Sequence, residues 1–121
     1  MKKSSGHLQS RFRAGERIFQ VQVLRLANGC FLSISEGEDE KMGALTLAIR
    51  TGGTIHTSVL VPGRSSSTIS SILAEMVANV TEGICITSFH ALMEVDGQVM
   101  KTIIDEVKRS IQKQRGLSGD A

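Results

Sequence analysis

The sequence predicts an α+β fold: an antiparallel β-sheet of about six strands with two helices on one face, in the order β-β-β-β-β-α-β-α. Short runs rich in β-branched residues, separated by glycine-containing turn signals, fill the first half of the chain. Two segments of the second half instead have apolar residues at helical spacing. With 121 residues, the chain is long enough for one domain and too short for two.

Five strand signals come first. Asn28 and Gly29 favour a tight hairpin turn between the second and third strands, because both residue types tolerate positive φ. Gly52 and Gly53 favour another turn between the fourth and fifth strands. Residues 36–40, which read EGEDE, form an acidic loop. The predicted strands are residues 9–13, 17–27, 30–35, 42–50 and 54–61.

A helix follows, with a strand and a second helix after it. Ser65, Ser66 or Ser67 can cap the first helix, and Gly83 suits the position after its end, where positive φ is needed. Residues 84–89 then change to a β-branched strand pattern, and residues 90–97 are irregular. The first helix is predicted from Ile69, Ile72, Leu73, Met76, Val77 and Val80, and the second from Val99, Met100, Ile103, Ile104, Val107 and Ile111.

The two faces of the predicted sheet differ in composition. We expect the helices to pack on the large apolar residues Leu32, Ile34, Leu45, Leu47, Ile49, Ile84 and Ile86. The opposite positions are small or uncharged, whereas a solvated sheet face normally contains many Lys and Glu residues. This favours a second covered face, with the sheet of another copy packed at about 10 Å; a merely polar, solvated face is the alternative. The predicted dimer-interface residues are Gln20, Gln22, Ser33, Ser35, Ala44, Thr46 and Ala48.

Composition argues against several classes of protein. The net charge is only +2, and four Phe are the only aromatic residues of the Phe, Tyr and Trp types, which argues against nucleic-acid binding. Neither a secretory leader nor an apolar run long enough for a bilayer is present in the sequence, so we expect a cytoplasmic protein without a membrane partner. We expect a flexible segment at residues 1–8, one domain at 9–115 and a frayed tail at 116–121.

The sequence offers little for catalysis. His7, His56 and His90 do not have the spacing of a metal site, and Cys30 and Cys85 are typical of reduced cysteines in strands. Cys85 and His90 could in principle form a nucleophile–base pair, but a chance neighbourhood is the simpler interpretation. Residues 62–67 lack the second Gly and the Lys of a phosphate-binding loop. We therefore expect no enzyme activity, no cofactor and no metal.

Several motifs resemble one family. Residues 41–45 (KMGAL) open a strand after a hairpin and an exposed loop, and residues 58–63 (SVLVPG) precede a helix. With the strand and terminal helix that follow, they resemble the proteasome assembly chaperone 3 family, over residues 17–113. Eukaryotic members have a longer segment where this chain has only residues 51–53. The compact form looks like an archaeal or divergent homologue.

The resemblance implies a non-enzymatic chaperone. Members dimerise by packing sheets together, as homodimers or with a paralogue, and hold α-type subunits of the 20S proteasome while the α-ring forms. On this basis we expect the acidic loop and the start of the first helix, where serine amides could hold a carboxylate, to contact the subunit; simple helix capping is the alternative. The expected partner-binding residues are Glu36, Glu38, Asp39, Glu40, Lys41, Arg64 and Ser65.

Two other functions stay open. A roadblock-like or longin-like dimeric scaffold in signalling or trafficking also combines antiparallel sheets with helices. Those folds usually place a helix among or before the first strands, whereas here at least four strand signals precede any helix. A nucleic-acid-binding dimer would need clustered basic residues, and here these lie mostly at the two termini.

Overall fold

The computed structural model describes residues 6–63 and 66–119, in the predicted order of elements. All six strands join one sheet, and both helices pack on the same face of it. The fold class is therefore confirmed. The elements are β1 (Gly6–Ala14), β2 (Arg17–Leu26), β3 (Gly29–Glu36), β4 (Ala44–Thr51), β5 (Thr54–Val61), α1 (Ser66–Thr81), β6 (Ile84–His90) and α2 (Gly97–Gly119).

The strands lie in the order β1-β2-β3-β6-β4-β5. Three hairpins join β1 to β2, β2 to β3, and β4 to β5. The last strand, β6, is inserted between the two groups, antiparallel to β4 and parallel to β3. The sheet is therefore mixed rather than wholly antiparallel, because α1 returns the chain across the sheet and β6 runs in the same direction as β5.

Helix α1 packs on the sheet through small side chains. The Ser70 Oγ lies 3.2 Å from the carbonyl oxygens of both Ala44 and Thr87, so this buried hydroxyl donates to the sheet backbone itself. Such an approach is possible because residues without bulky side chains occupy both surfaces. The small buried residues of the two elements are Ser70, Ala74 and Ala78 on α1 and Ala44, Thr46 and Ala48 on β4.

This packing reverses the predicted faces of β4 and β6. On β4 the alternate residues Leu45, Leu47 and Ile49 point away from α1, and on β6 the same is true of Ile84 and Ile86. The prediction that these large residues pack under the helices was wrong. Alternation determines which residues share a face, but it does not say whether the bulky or the small set lies under a helix.

The predicted apolar stripe of α1 is rotated for the same reason. Ile69, Leu73 and Val77 are buried as predicted, whereas Ile72 and Val80 are each 38% exposed. Their place in the contact is taken by the small residues on the other side of the stripe. The sequence pattern thus located the helix correctly but misplaced the centre of its buried surface.

Helix α2 lies over β1 and β2. Val99, Ile103, Val107 and Ile111 are buried. Beneath them the rings of Phe12 and Phe19 stack with centroids 5.5 Å apart, and Phe89 extends this row at 6.4 Å from Phe19. The Asp96 carboxylate begins the helix by accepting a hydrogen bond from the Val99 amide at 2.9 Å.

Some boundaries differ from the prediction. Strand β1 already begins at Gly6, and α2 continues to Gly119, so both elements extend into the segments predicted as flexible. At the end of α1 the positive φ belongs to Glu82, at +53°, and not to Gly83. Gly83 is needed instead because a Cβ there would overlap the carbonyl oxygen of Asn28. The predicted cap at Ser65 lies outside the described residues.

Candidate functional site

The sheet face opposite the helices, termed here the open face, exposes large apolar side chains. Phe31 is 48% exposed, Leu60 49% and Leu24 40%, although all three belong to strands. Among the described residues no helix packs on this face. Large apolar side chains that are about half exposed and share one face are typical of a protein interaction site.

These side chains surround a shallow trough of about 590 Å³ across the middle of the sheet. Its lining comes from all six strands and from Met42 of the connection between β3 and β4. Because the sheet itself spaces neighbouring side chains on one face, the strands determine most of the shape of the trough. Its apolar lining includes Leu24, Phe31, Met42, Leu45, Leu60 and Ile86.

In the structure Glu36 ends β3, so the acidic loop comprises the whole β3–β4 connection, residues 37–43, and it folds back over the polar end of the open face. The side-chain Nε2 of Gln20 donates to the backbone carbonyl oxygens of Gly37 and Glu38, at 2.7 and 2.9 Å. Gln22 and Gln9 both donate to the carboxylate of Glu40. The loop is therefore a bound part of the domain and not a freely solvated segment.

Two serines complete the attachment of this loop. The Ser35 hydroxyl accepts from the Lys41 amide at 2.9 Å, and the Ser88 hydroxyl accepts from the Gly43 amide at 3.0 Å. The many uncharged polar residues of the second face thus satisfy backbone groups of the chain's own loop. Part of that face is covered, as the sequence suggested, but by this loop.

The predicted dimer-interface residues divide into three groups. Gln20, Gln22 and Ser35 hold the acidic loop, and Ser33 lies at the trough. The remaining three belong to the other side of the sheet, where they are buried beneath α1, so the structure contradicts their assignment to an open interface. These three are Ala44, Thr46 and Ala48.

The predicted partner-binding residues also separate. Glu38, Asp39, Glu40 and Lys41 are all exposed. Glu40 is held by the two glutamines, and Glu36 is only 6% exposed, so its assignment to a contact surface is contradicted. The other two predicted residues, Arg64 and Ser65, lie outside the described part of the chain.

Glu36, which is buried, forms an ion pair with the partly buried Arg17 at the end of the sheet. The two side chains share a bidentate contact, with Nη2 2.7 Å from Oε1 and Nε 2.9 Å from Oε2. This hydrogen bonding lowers the pKa of Glu36 against the opposing effect of burial, and the Leu92 amide lowers it further. The same contact raises the pKa of Arg17. Both groups are therefore charged at neutral pH.

The pair also binds the connection between β6 and α2. Arg17 donates to the carbonyl oxygens of Met93 and Glu94, at 3.0 and 2.8 Å. The Leu92 amide donates to Glu36 at 2.8 Å. Residues 92–94 are thus fixed through their backbone, a feature that the sequence pattern did not predict.

The cysteines and His90 do not form a reactive pair. Cys30 and Cys85 are opposite each other in the β3–β6 ladder, buried on the helix side. A hydrogen bond with Cys85, together with burial, raises the pKa of the Cys30 thiol. His90 is five residues after Cys85, which places it on the opposite side of the sheet. A nucleophile–base pair of these two residues is therefore incompatible with the fold.

Comparisons with known proteins bear on the fold alone. No family model matches the chain, and no curated protein matches it in sequence. A chain in the crystal structure of a chaperone complex for yeast 20S proteasome assembly matches it with a TM-score of 0.71. The match covers 95% of this chain and 98% of the other, at 8% sequence identity. The fold thus resembles that of a proteasome assembly chaperone. Within the described residues, no helix is long and apolar enough to cross a membrane.

Proposed function

We propose that this protein is a non-enzymatic chaperone that dimerises through its open face and binds α-type subunits of the 20S proteasome during α-ring assembly. The observation that carries the proposal is the apolar trough, on a fold that resembles a proteasome assembly chaperone over almost its whole length. An apolar sheet face of this kind serves protein contact, since its lining contains few polar groups for chemistry.

A second copy of the chain fits the open face. Sheets pack face to face at about 10 Å, with side chains of the two faces interdigitating, and the half-exposed Leu24, Phe31 and Leu60 would fill that space. In a twofold arrangement each residue contributes twice, so a patch of moderate size gives a stable dimer. The acidic loop would then lie at the rim, bound to its own sheet.

The exposed carboxylates of that rim are the proposed electrostatic contact with the α-type subunit. Glu38 and Asp39 project from a loop that is already fixed by hydrogen bonds, so little order has to be gained on binding. Charges at a rim mainly change the association rate and its dependence on salt. The loop would therefore orient the subunit rather than supply most of the affinity.

The test is a charge reversal at the two exposed carboxylates. E38K/D39K should bind the α-type subunit about threefold to tenfold more weakly at low salt, mainly through a slower association rate. Glu40 is left unchanged because it holds the loop. The control, E82K/D105K, changes the net charge equally at exposed positions away from this rim. Equal binding by both variants would exclude the loop from the contact.

A further inference from the structure

Two exposed apolar residues lie beyond the open face, at the end of the sheet. Leu92 is 64% exposed and Met93 65%, and they follow each other in the connection between β6 and α2. Their neighbours Ala91 and Val95 pack partly against the core. The connection thus has an inner side that is buried and an outer side that is apolar but exposed, termed here the ledge (Leu92 and Met93).

The backbone of the ledge is fixed by hydrogen bonds, although its side chains are exposed. All three polar backbone contacts described above, at the Leu92 amide and at the carbonyls of Met93 and Glu94, are made by the Arg17–Glu36 pair. On the far side Asp96 caps α2 through the Val99 amide. The ion pair therefore fixes the backbone of two residues whose side chains are mostly exposed.

Such fixation favours binding. An apolar side chain in a mobile turn loses conformational entropy when a partner covers it, whereas one on a fixed backbone loses only its rotamer freedom. Exposed apolar side chains with this preorganisation are typical of interface anchors. The structure of the connection is therefore better suited to recognition than to stability.

The charges around the ledge indicate the chemistry of the partner. Glu94 follows Met93 directly and is exposed, and Glu16 is exposed next to the partly buried Arg17. A Cβ at Gly37 would lie 3.7 Å from the Leu92 side chain, so the ledge adjoins the start of the acidic loop and its Glu38. Glu38 is partly neutralised by Arg11 at 3.6 Å. Glu94 and Glu38 thus place exposed carboxylates next to the ledge and next to the loop residue that adjoins it.

From these observations we infer that the ledge is the apolar anchor for the client subunit, and that it inserts into an apolar depression with a basic rim. This inference rests on the proposed function, and it assigns the client to the end of the sheet while the open face binds a second copy. The acidic loop and the ledge then form one continuous client surface, with the loop steering and the ledge supplying affinity.

The test compares L92S/M93S with the matched variant I72S/V80S, which removes two exposed apolar side chains from α1. Binding of purified α-type subunits from the same organism is measured by interferometry. The mass of the assembly that the protein forms by itself in solution is measured by light scattering. L92S/M93S should weaken subunit binding at least about tenfold, mainly through faster dissociation, with unchanged mass. I72S/V80S should bind like the wild type.

Three results would overturn the inference. If the wild type binds an α-type subunit and L92S/M93S binds it with the same affinity, the ledge is not the client anchor, and the proposed function stays intact. Loss of dimer mass in L92S/M93S assigns the ledge to the contact between copies. Failure of the wild type to bind any α-type subunit overturns both the ledge as a client site and the proposed function. Circular dichroism of each variant confirms that the fold is retained.

Discussion

Replacement of Phe31 with threonine should dissociate the proposed dimer and leave the protomer folded. Phe31 lies on the open face of β3, directly opposite Leu24 of β2, and is half exposed in the single chain. Threonine has a high preference for strands, so the local structure of β3 is retained. The substitution therefore removes contact area between copies and little else.

The size of the effect follows from the exposed area. A Phe side chain buries about 200 Å² when it is fully covered, and a 48% exposed fraction leaves about half of this for a partner. At about 25 cal/mol per Å² this area contributes about 2.5 kcal/mol, and twice that in a twofold dimer. Since threonine keeps a methyl group in contact, we expect a loss of about 4 kcal/mol, or about a thousandfold in dimer Kd.

Sedimentation equilibrium over a dilution series measures this Kd. Val59→Thr is the matched control, because Val59 has the same 48% exposure but pairs with the buried Thr46 and so belongs to the helix side of the edge strand β5. V59T should dimerise like the wild type. Equal Kd values for F31T and the wild type, or a wild type that stays monomeric at high concentration, would refute packing through the open face.

Two further predictions concern stability. Glu36→Gln should lower the free energy of unfolding by about 2–4 kcal/mol at neutral pH, because Arg17 stays partly buried without its counter-charge. The folded-state pKa of Glu36 is lowered, so this advantage of the wild type is complete above the usual Glu pKa of 4.5 and is lost as the pH falls through the folded-state value. Urea unfolding curves of the two proteins should therefore converge in acid. A difference in unfolding free energy that is independent of pH would contradict the ion pair. Gly43→Ala should destabilise the fold by about 3 kcal/mol or more, because the added Cβ would overlap the Phe89 carbonyl oxygen. The control Gly53→Ala places its Cβ in open space and should be nearly neutral. Similar midpoints of the two variants in denaturant unfolding would contradict the close approach of the acidic loop to β6.

Element order and type could be predicted because they depend on periodicity, which is local. The change from alternation to helical spacing before α1, and the buried positions Val99, Ile103 and Val107 of α2, are visible in the sequence and confirmed in the structure. Boundaries shifted only where the pattern is weak, as at Gly6. What a single segment encodes could thus be predicted.

The face of a strand on which a helix packs depends on the side chains of that helix as well as on those of the strand. The pattern of β4 is compatible with either side, and only the small residues of α1, Ser70, Ala74 and Ala78, favour the small set of β4. Reading both segments together would have given this answer, since a helix with small residues at these spacings can approach a sheet closely. The error was to treat each element by itself.

The acidic loop illustrates a different limit. Its charges suggested a contact surface, but they did not show that Gln9 and Gln22, 31 and 18 residues before Glu40, bind this residue once β1 and β2 are paired. The ledge was missed for a similar reason, because the residues that fix it, Arg17 and Glu36, come from the opposite end of the chain. Such sites arise from long-range contacts, which periodicity does not encode.

The central claim is that this protein is a chaperone for α-type proteasome subunits. The most direct measurement is co-migration of the purified protein with each α-type subunit of the same organism on size-exclusion chromatography, with mature 20S particles as the control. The account predicts a stoichiometric complex with at least one free α-type subunit and none with the mature particle. Free migration beside every α-type subunit would contradict it.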